Sequence, residues 1–273
     1  MNRMPEFTLF GEVIDANEIL RVQVTDIKSL LLRKGFIIVN DISFTREEFA
    51  MFFSGFGDVV RFVTDPLAPD YKSSDVTVLQ GRPDDIVAGR GQLPLHADGG
   101  TTDFIVDHLF LFALEVSTSD NGGATCLVNY RLANLELPES LRRILFGRKH
   151  YMRIINGDVE QTWKEIPVFS GMGRAFRMMI YFPFDEGQPA SWECAVEGLT
   201  TAECRQYYRD LQAFYRQPRY YYRHYWTQNQ LLICDNRLML HEREPYSSDG
   251  QTRILMRGLT REPADELSGD MRS

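Results

Sequence analysis

GRGQLPLHADGG, residues 89–100, sets a histidine and an aspartate, His96 and Asp98, one residue apart, after an apolar pair and before two glycines. On an extended strand, side chains at i and i+2 point to the same face. That spacing aims an imidazole and a carboxylate at one point, with Ala97 turned away. The two glycines let the backbone turn sharply and leave the point uncrowded. Such a pair suits a metal ion and equally suits a buried His–Asp hydrogen bond. The rest of the chain has to decide.

From His96 onward the sequence reads as strand after strand. Runs at 109–114, 125–129, 177–181, 220–225, 231–235 and 253–258 have strand character, and Asn121-Gly122-Gly123 and Asn156-Gly157-Asp158 supply turns between them. Two helices interrupt, one over 131–147 and one opening at Thr200, where Thr200 and Glu203 form a capping box. In the second, Tyr207, Leu211, Phe214 and Tyr215 follow helical spacing and face a core. The run Tyr220-Tyr221-Tyr222 reads as strand and core. Upstream the chain is mixed: a helix over 22–34 stopped by Gly35, a buried strand at 36–39, and a helix opened by the capping box Thr45-Arg46-Glu47-Glu48 and continuing through Met51, Phe52 and Phe53. Strands without βαβ alternation predict a barrel or jelly roll, mainly β with flanking helices, rather than a doubly wound sheet. One domain is expected over residues 1–273.

The net charge of −8 argues against nucleic acid as the main partner. No apolar run reaches the roughly 18 residues of a membrane span. The start, MNRMPEFTLFGEVIDANE, lacks the apolar core of a signal peptide, so a cytoplasmic protein is expected. The cysteines at 126, 194, 204 and 234 form no CxxC pair and read as reduced core thiols, which leaves a thiolate zinc site unsupported.

A third ligand comes from LLICDNRLMLHEREPY, residues 231–246, where His241 follows a buried strand and an Asp-Asn-Arg turn. His96, Asp98 and His241 make two histidines and one carboxylate. On one face of an octahedron they leave three positions open, as in non-haem Fe(II) oxygen chemistry. Zinc would accept the same set plus water, so the triad alone leaves an oxygenase and a hydrolase open. Arginines discriminate further. Arg253 lies 12 positions after His241 on RILMRG, and with period two Arg253, Leu255 and Arg257 share a face. Two guanidiniums would enter the metal's cavity, each able to take a carboxylate through paired hydrogen bonds. A 2-oxo acid with a distal carboxylate needs one of them, whereas a hydrolase gives Arg253 no role. Arg243 either supports the site from behind or pairs with Glu242 or Glu244 in solvent. His108, His150 and His224 read as structural or surface residues.

The HxD motif, the distal histidine, the following arginine and the DNRxxxH context of residues 235–241 resemble the Fe(II)/2-oxoglutarate-dependent oxygenases, in particular their taurine dioxygenase-like branch. Within it, residues 89–100, GGAT at 122–125, IYFPFDEGQPASWE at 180–193, QPRYYYRHYW at 217–226 and DNRLMLHERE at 235–244 are most similar to the carbapenem synthase group. The resemblance implies a double-stranded β-helix (jelly roll) core and the cofactors Fe(II), 2-oxoglutarate and O2. It places iron on His96, Asp98 and His241, and the distal carboxylate of 2-oxoglutarate on Arg253 and Thr125. It puts a substrate carboxylate on Arg257, with Tyr181, Trp192, Phe62 and Ile155 at the substrate pocket. Phe62 and the pair Ile154-Ile155 stand where the carbapenem synthase pattern has tyrosines, including its hydrogen donor for epimerisation. The resemblance therefore implies hydroxylation or desaturation of a small carboxylate-bearing substrate. That substrate is an amino acid or derivative, free or tethered to a carrier protein, in antibiotic or secondary-metabolite biosynthesis. Epimerisation and desaturation of a carbapenam carboxylate is the alternative, and a zinc hydrolase or a non-catalytic 2-oxoglutarate sensor are alternatives of another class. Related halogenases replace the carboxylate ligand with a small residue, so Asp98 argues against halogenation. A homo-oligomer is left open.

Overall fold

The computed structural model describes residues 10–61, 75–81, 89–99, 105–117, 122–156, 159–160, 162–246 and 252–263. Phe62, Asn121 and the Gly157-Asp158 turn lie outside them. The described chain is mainly β, with helices on its outer faces. A large sheet runs in the order Glu12–Asp15, Phe36–Asn40, Leu231–Asp235, His108–Ser117, Thr252–Arg261 and Asp58–Val59, with Thr77–Leu79 also paired to Thr252–Arg261. Only its first pair, Glu12–Asp15 with Phe36–Asn40, is parallel. A smaller antiparallel sheet runs Tyr221–His224, Thr125–Asn129, Met239–Arg243 and Leu93–His96. A third contains Lys164–Ile166, His150–Asn156 and Trp192–Val196.

Period-two alternation sorts the large sheet's side chains into two cores. Leu232 and Cys234, with Leu109, Leu111, Leu255 and Leu259, pack against Leu127 and Met239 of the small sheet, so the two sheets face each other across an apolar layer. Their neighbours Leu231 and Ile233, with Phe110, Phe112 and Met256, point the other way and are covered by Ile27, Leu31, Phe49 and Phe53. Those four come from helices Val24–Lys34 and Arg46–Ser54. The first helix ends at Gly35 with φ 81°, and the second begins at the Thr45/Glu48 capping box, both as the sequence predicts. The outer face of the small sheet, Leu95, Val128 and Leu240, packs under Tyr207, Leu211, Phe214 and Tyr215 of helix Thr201–Tyr215.

Some elements differ from the sequence reading. The single helix expected over 131–147 is two, Tyr130–Leu135 and Glu139–Gly147. Pro138 between them is extended (φ −54°, ψ 142°); it has no N–H to donate and sets the N-terminus of the second helix instead of continuing the first. The 177–181 run forms a regular strand only at Arg177–Met178, while Tyr181 makes an isolated bridge to His96. Tyr220 lies in a turn before Tyr221–His224, its N–H donating to Gln217 O. The strand Glu12–Asp15 has no counterpart in the sequence reading. None of the described helices is long and apolar enough to cross a membrane.

Candidate active site

The antiparallel pairing of Leu93–His96 with Met239–Arg243 sets His96 directly opposite His241, with ring centroids 4.3 Å apart. The strand ends at His96, so Asp98 occupies the following turn, with Gly99 at φ 97° just after it. This corrects the expectation of one continuous strand through both residues. The turn still delivers the carboxylate: Asp98 Oδ1 is 3.8 Å from His96 Nε2 and Oδ2 is 3.7 Å from His241 Nε2. One ligand atom from each of the three residues lies within 4.8 Å of the others, and all three side chains are buried.

The chemistry of these donors fits a cation. His96 Nδ1 lies 2.7 Å from Pro94 O, and a carbonyl only accepts, so Nδ1 carries the proton and Nε2 keeps its lone pair. Asp98 Oδ2 is buried without a hydrogen-bond partner, an orphan that a metal ion would satisfy. Burial lowers the His96 pKa, and it pushes His241 down to about 3, which keeps both imidazoles in the neutral, ligating form. Burial alone would raise the Asp98 carboxyl. The combined pull of His241, Arg257 and His96 more than reverses this and holds it below the usual carboxylate value.

An anion cradle adjoins the triad. Arg253 is buried; its Nε donates to Gly123 O at 2.8 Å and its Nη2 to Thr125 Oγ1 at 3.1 Å. The GGAT glycine makes room for it, since a Cβ on Gly123 would stand 3.0 Å from Arg253 Cδ and its φ is +72°. Trp226 Nε1 also donates to Thr125 Oγ1, at 2.9 Å. A hydroxyl has two lone pairs and one proton. With both lone pairs engaged, the Thr125 proton has no acceptor among the described residues and is left for a ligand oxygen. Among the described residues no carboxylate pairs with Arg253, and burial, then the neighbouring Arg243, lowers its pKa to about 9. A carboxylate ligand would supply the missing counter-charge.

Arg257 shares the Arg253 face of Thr252–Arg261 and is buried; its charge acts on His96, Asp98 and His241 alike. Tyr181 and Trp192 flank His96, each with its ring centroid 5.9 Å from the imidazole, and Trp192 Nε1 is fixed on Phe182 O at 2.8 Å. Ile154 stands opposite Trp192 in register and packs with Met152, Tyr181 and Trp192. By alternation Ile155 belongs to the other face, so Ile154 and not Ile155 is brought to this cluster. Arg243 is buried, with Nε and Nη2 donating to Gly91 O, while Arg216 and Tyr221 take Glu242 and Arg223 takes Glu244. It therefore tethers the approach to His96. Trp226 is a site residue the sequence reading missed; it lies two residues beyond His224, which pairs with Thr125 across the sheet, and that pairing leaves no signal within one strand.

His108, His150 and His224 are buried, so the surface reading of these residues falls away. Burial is the main cause that pushes His108 to about 3, His150 to about 4 and His224 to about 3. In the unfolded chain each titrates near about 6.5. The unfolded chain therefore binds more protons as pH falls from about 6.5 towards about 4, and folding loses stability across that window until the folded groups also protonate. Each histidine contributes a slope of ~1.4 kcal/mol per pH unit there. Denaturant unfolding of the metal-free protein at pH 7 and pH 5 is expected to show a steep loss, and His150→Leu should reduce that slope by one proton. A stability flat between these pH values would contradict neutral burial.

Three buried donors beside an anion cradle are the makings of a metal enzyme that handles carboxylates. Comparison with known proteins carries that to a family: residues 6–260 match taurine catabolism dioxygenase TauD, TfdA family, and the chain belongs to it. It is an Fe(II)/2-oxoglutarate-dependent dioxygenase, with Fe(II), 2-oxoglutarate and O2 as its cofactors. The alpha-ketoglutarate-dependent 2,4-dichlorophenoxyacetate dioxygenase of Cupriavidus pinatubonensis (strain JMP 134 / LMG 1197) is 27% identical over 95% of this chain and 96% of its own. The tyrosine isonitrile desaturase of Erwinia amylovora (strain CFBP1430) is 26% identical over 62% of this chain and 60% of its own. The alpha-ketoglutarate-dependent 2,4-dichlorophenoxyacetate dioxygenase of Burkholderia sp. (strain RASC) is 30% identical over 55% of this chain and 52% of its own. Among solved structures, PvcB of Pseudomonas aeruginosa superposes with a TM-score of 0.70 at 17% identity, covering 93% of this chain and 87% of that one.

Proposed function

We propose that His96, Asp98 and His241 hold the Fe(II), that Arg253 and the Thr125 hydroxyl hold the distal carboxylate of 2-oxoglutarate, and that Arg257 takes the carboxylate of a small substrate. The observation that carries this reading is the placement of two buried guanidiniums on one face of one strand, one against Thr125 and the other within electrostatic reach of all three donors. When bound, the iron with 2-oxoglutarate activates O2 and supplies the oxidant that removes hydrogen from a C–H bond. The chain's own residues anchor and orient. Arg257 fixes one end of the substrate, Tyr181, Trp192 and Ile154 form an apolar wall beside it, and the resemblance adds Phe62. We place these parts in one domain over residues 1–273, with the two facing sheets as a double-stranded β-helix.

The reaction we assign is hydroxylation or desaturation of a small carboxylate-bearing metabolite, an amino acid or derivative, in a cytoplasmic biosynthetic pathway of the antibiotic or secondary-metabolite kind. PvcB, described as an Fe, alpha-ketoglutarate dependent oxygenase from an isonitrile synthetic pathway, and the Erwinia desaturase support that setting. Carbapenam epimerisation is disfavoured by the pocket. Returning hydrogen to the face opposite the iron needs a donor, and an aliphatic C–H bond such as those of Ile154 is much stronger than a phenolic O–H. Tyr181, the phenol of that wall, stacks on the His96 ring and so stands with the iron ligands, and Tyr151, the nearest tyrosine in sequence, is set by alternation on the face opposite Met152 and Ile154. Incubation of the Fe(II)-loaded protein with 2-oxoglutarate, O2 and a 5S carbapenam carboxylate is expected to give no 5R carbapenem by chiral chromatography and mass spectrometry. With amino-acid-derived carboxylates, succinate should instead form in step with a product altered by one oxygen gained or two hydrogens lost. Appearance of the 5R carbapenem at a useful rate would establish the epimerase alternative.

A further inference from the structure

The three candidate ligands are not held alike. His96 and His241 sit on strands paired directly to each other. Asp98 lies beyond the strand end; Ala97 N–H still reaches Ile180 O at 3.3 Å, and there the backbone pairing stops. At that point a side chain takes over. Asn236 Oδ1 accepts from Asp98 N–H at 3.0 Å, and Asn236 Nδ2 donates to Asp98 O at 3.0 Å and to Val106 O at 2.9 Å. The side-chain amide thus pairs with both backbone groups of Asp98, as a neighbouring strand would. Its orientation follows from its partners, because a flipped amide would set donor against donor and acceptor against acceptor.

Asn236 is itself clamped. Its N–H donates to Asp107 O at 2.8 Å. On one side Asp235, and on the other Arg237, belong to a buried ionic cluster: Arg237 Nε and Nη2 donate to the two Asp235 oxygens at 2.9 and 2.8 Å, and Arg237 Nη1 to Glu262 Oε2 at 2.8 Å. Tyr130 Oη closes the turn by donating to Arg237 O. The turn joins strand Leu231–Asp235 of the large sheet to strand Met239–Arg243 of the small sheet, which carries His241.

We infer that Asn236 is a positioning residue for the metal site: its amide holds the Asp98 backbone, and so sets the carboxylate against the two histidines that the sheet already fixes. This rests on the reading of Asp98 as a metal ligand. Outer partners that orient ligands typically change metal affinity by about 10–100-fold when removed. Loss of the amide should therefore act on metal binding beyond its effect on folding.

The probe is Co(II), titrated into the metal-free full chain against a competing chelator, with its d–d absorption recorded and the thermal midpoint of the metal-free protein measured alongside. Asn236→Ala is expected to weaken Co(II) binding at least about tenfold and to shift the d–d spectrum. Asn236→Asp, which keeps the acceptor but loses both Nδ2 donors, should do the same. Tyr215→Phe removes a buried hydrogen bond to Asn134, away from the Asn236 turn and from Asp98, so it should lower the thermal midpoint yet leave Co(II) affinity and spectrum as in the wild type. Wild-type affinity and spectrum in Asn236→Ala, or equal loss in Tyr215→Phe, would overturn the proposal. An Asp98→Ala variant with unchanged Co(II) binding would instead overturn the ligand reading beneath it. Should the Asn236 variants not fold, hydrogen exchange at the Asp98 amide of the metal-free wild type decides: slow exchange supports the clamp, and exchange at the free-peptide rate refutes it.

Discussion

His96→Ala and His241→Ala are each expected to abolish 2-oxoglutarate turnover in a protein that still folds. Each removes one of only three candidate donors, and no other histidine, cysteine or carboxylate cluster among the described residues offers a replacement set. The loss should therefore exceed the about 10–100-fold typical of an outer partner. The fold should survive because the backbone pairing of Leu93–His96 with Met239–Arg243 does not depend on the imidazoles; His96 gives up one hydrogen bond, to Pro94 O, and His241 Nδ1 has none to lose. Asp98→Ala should keep weak metal binding through the two histidines. Release of CO2 and succinate, set beside the thermal midpoint of each variant, checks this. Full turnover in either histidine variant would remove the triad from the account.

The second large effect separates the two arginines. Arg253→Ala takes the charged group from the cradle at Thr125 and Gly123. Hydrogen bonds to charged groups contribute about 1.5–3 kcal/mol each, so affinity for 2-oxoglutarate should fall at least about tenfold. Arg257→Ala should leave 2-oxoglutarate binding and its uncoupled decay largely intact, and instead uncouple that decay from substrate oxidation. Isothermal titration with 2-oxoglutarate, together with the ratio of succinate to oxidised product, reads both. The reverse pattern would mean that the two arginines exchange roles.

Much of the site is legible in the chain because its spacing is local. HxD brings two donors together, and alternation places Arg253 and Arg257 on one face, whatever the remainder does. The reading of HxD reached the right neighbours for an incomplete reason, since Asp98 leaves the strand and depends on Asn236, 138 positions away in sequence. That pairing has no local signature, and neither does the ionic pairing of Arg237 with Glu262. Trp226 joins Thr125 across a strand pair, which periodicity within one strand cannot show. Of the pair Ile154-Ile155, only Ile154 packs with Tyr181 and Trp192, because a step of one residue turns a side chain to the other face of a sheet. The helix expected over 131–147 failed at Pro138, a helix breaker present in the sequence.

The central claim is that the triad and the Arg253 cradle form one iron and 2-oxoglutarate site. Its most direct test is an anaerobic titration of the Fe(II)-loaded protein with 2-oxoglutarate, followed by visible absorption. A 2-oxo acid chelated to Fe(II) absorbs visible light by charge transfer from metal to ligand. A band that grows to saturation at one 2-oxoglutarate per chain is expected for the wild type, with none in His241→Ala and a saturation point shifted to higher concentration in Arg253→Ala. A wild-type protein that binds Fe(II) yet develops no such band would contradict the account.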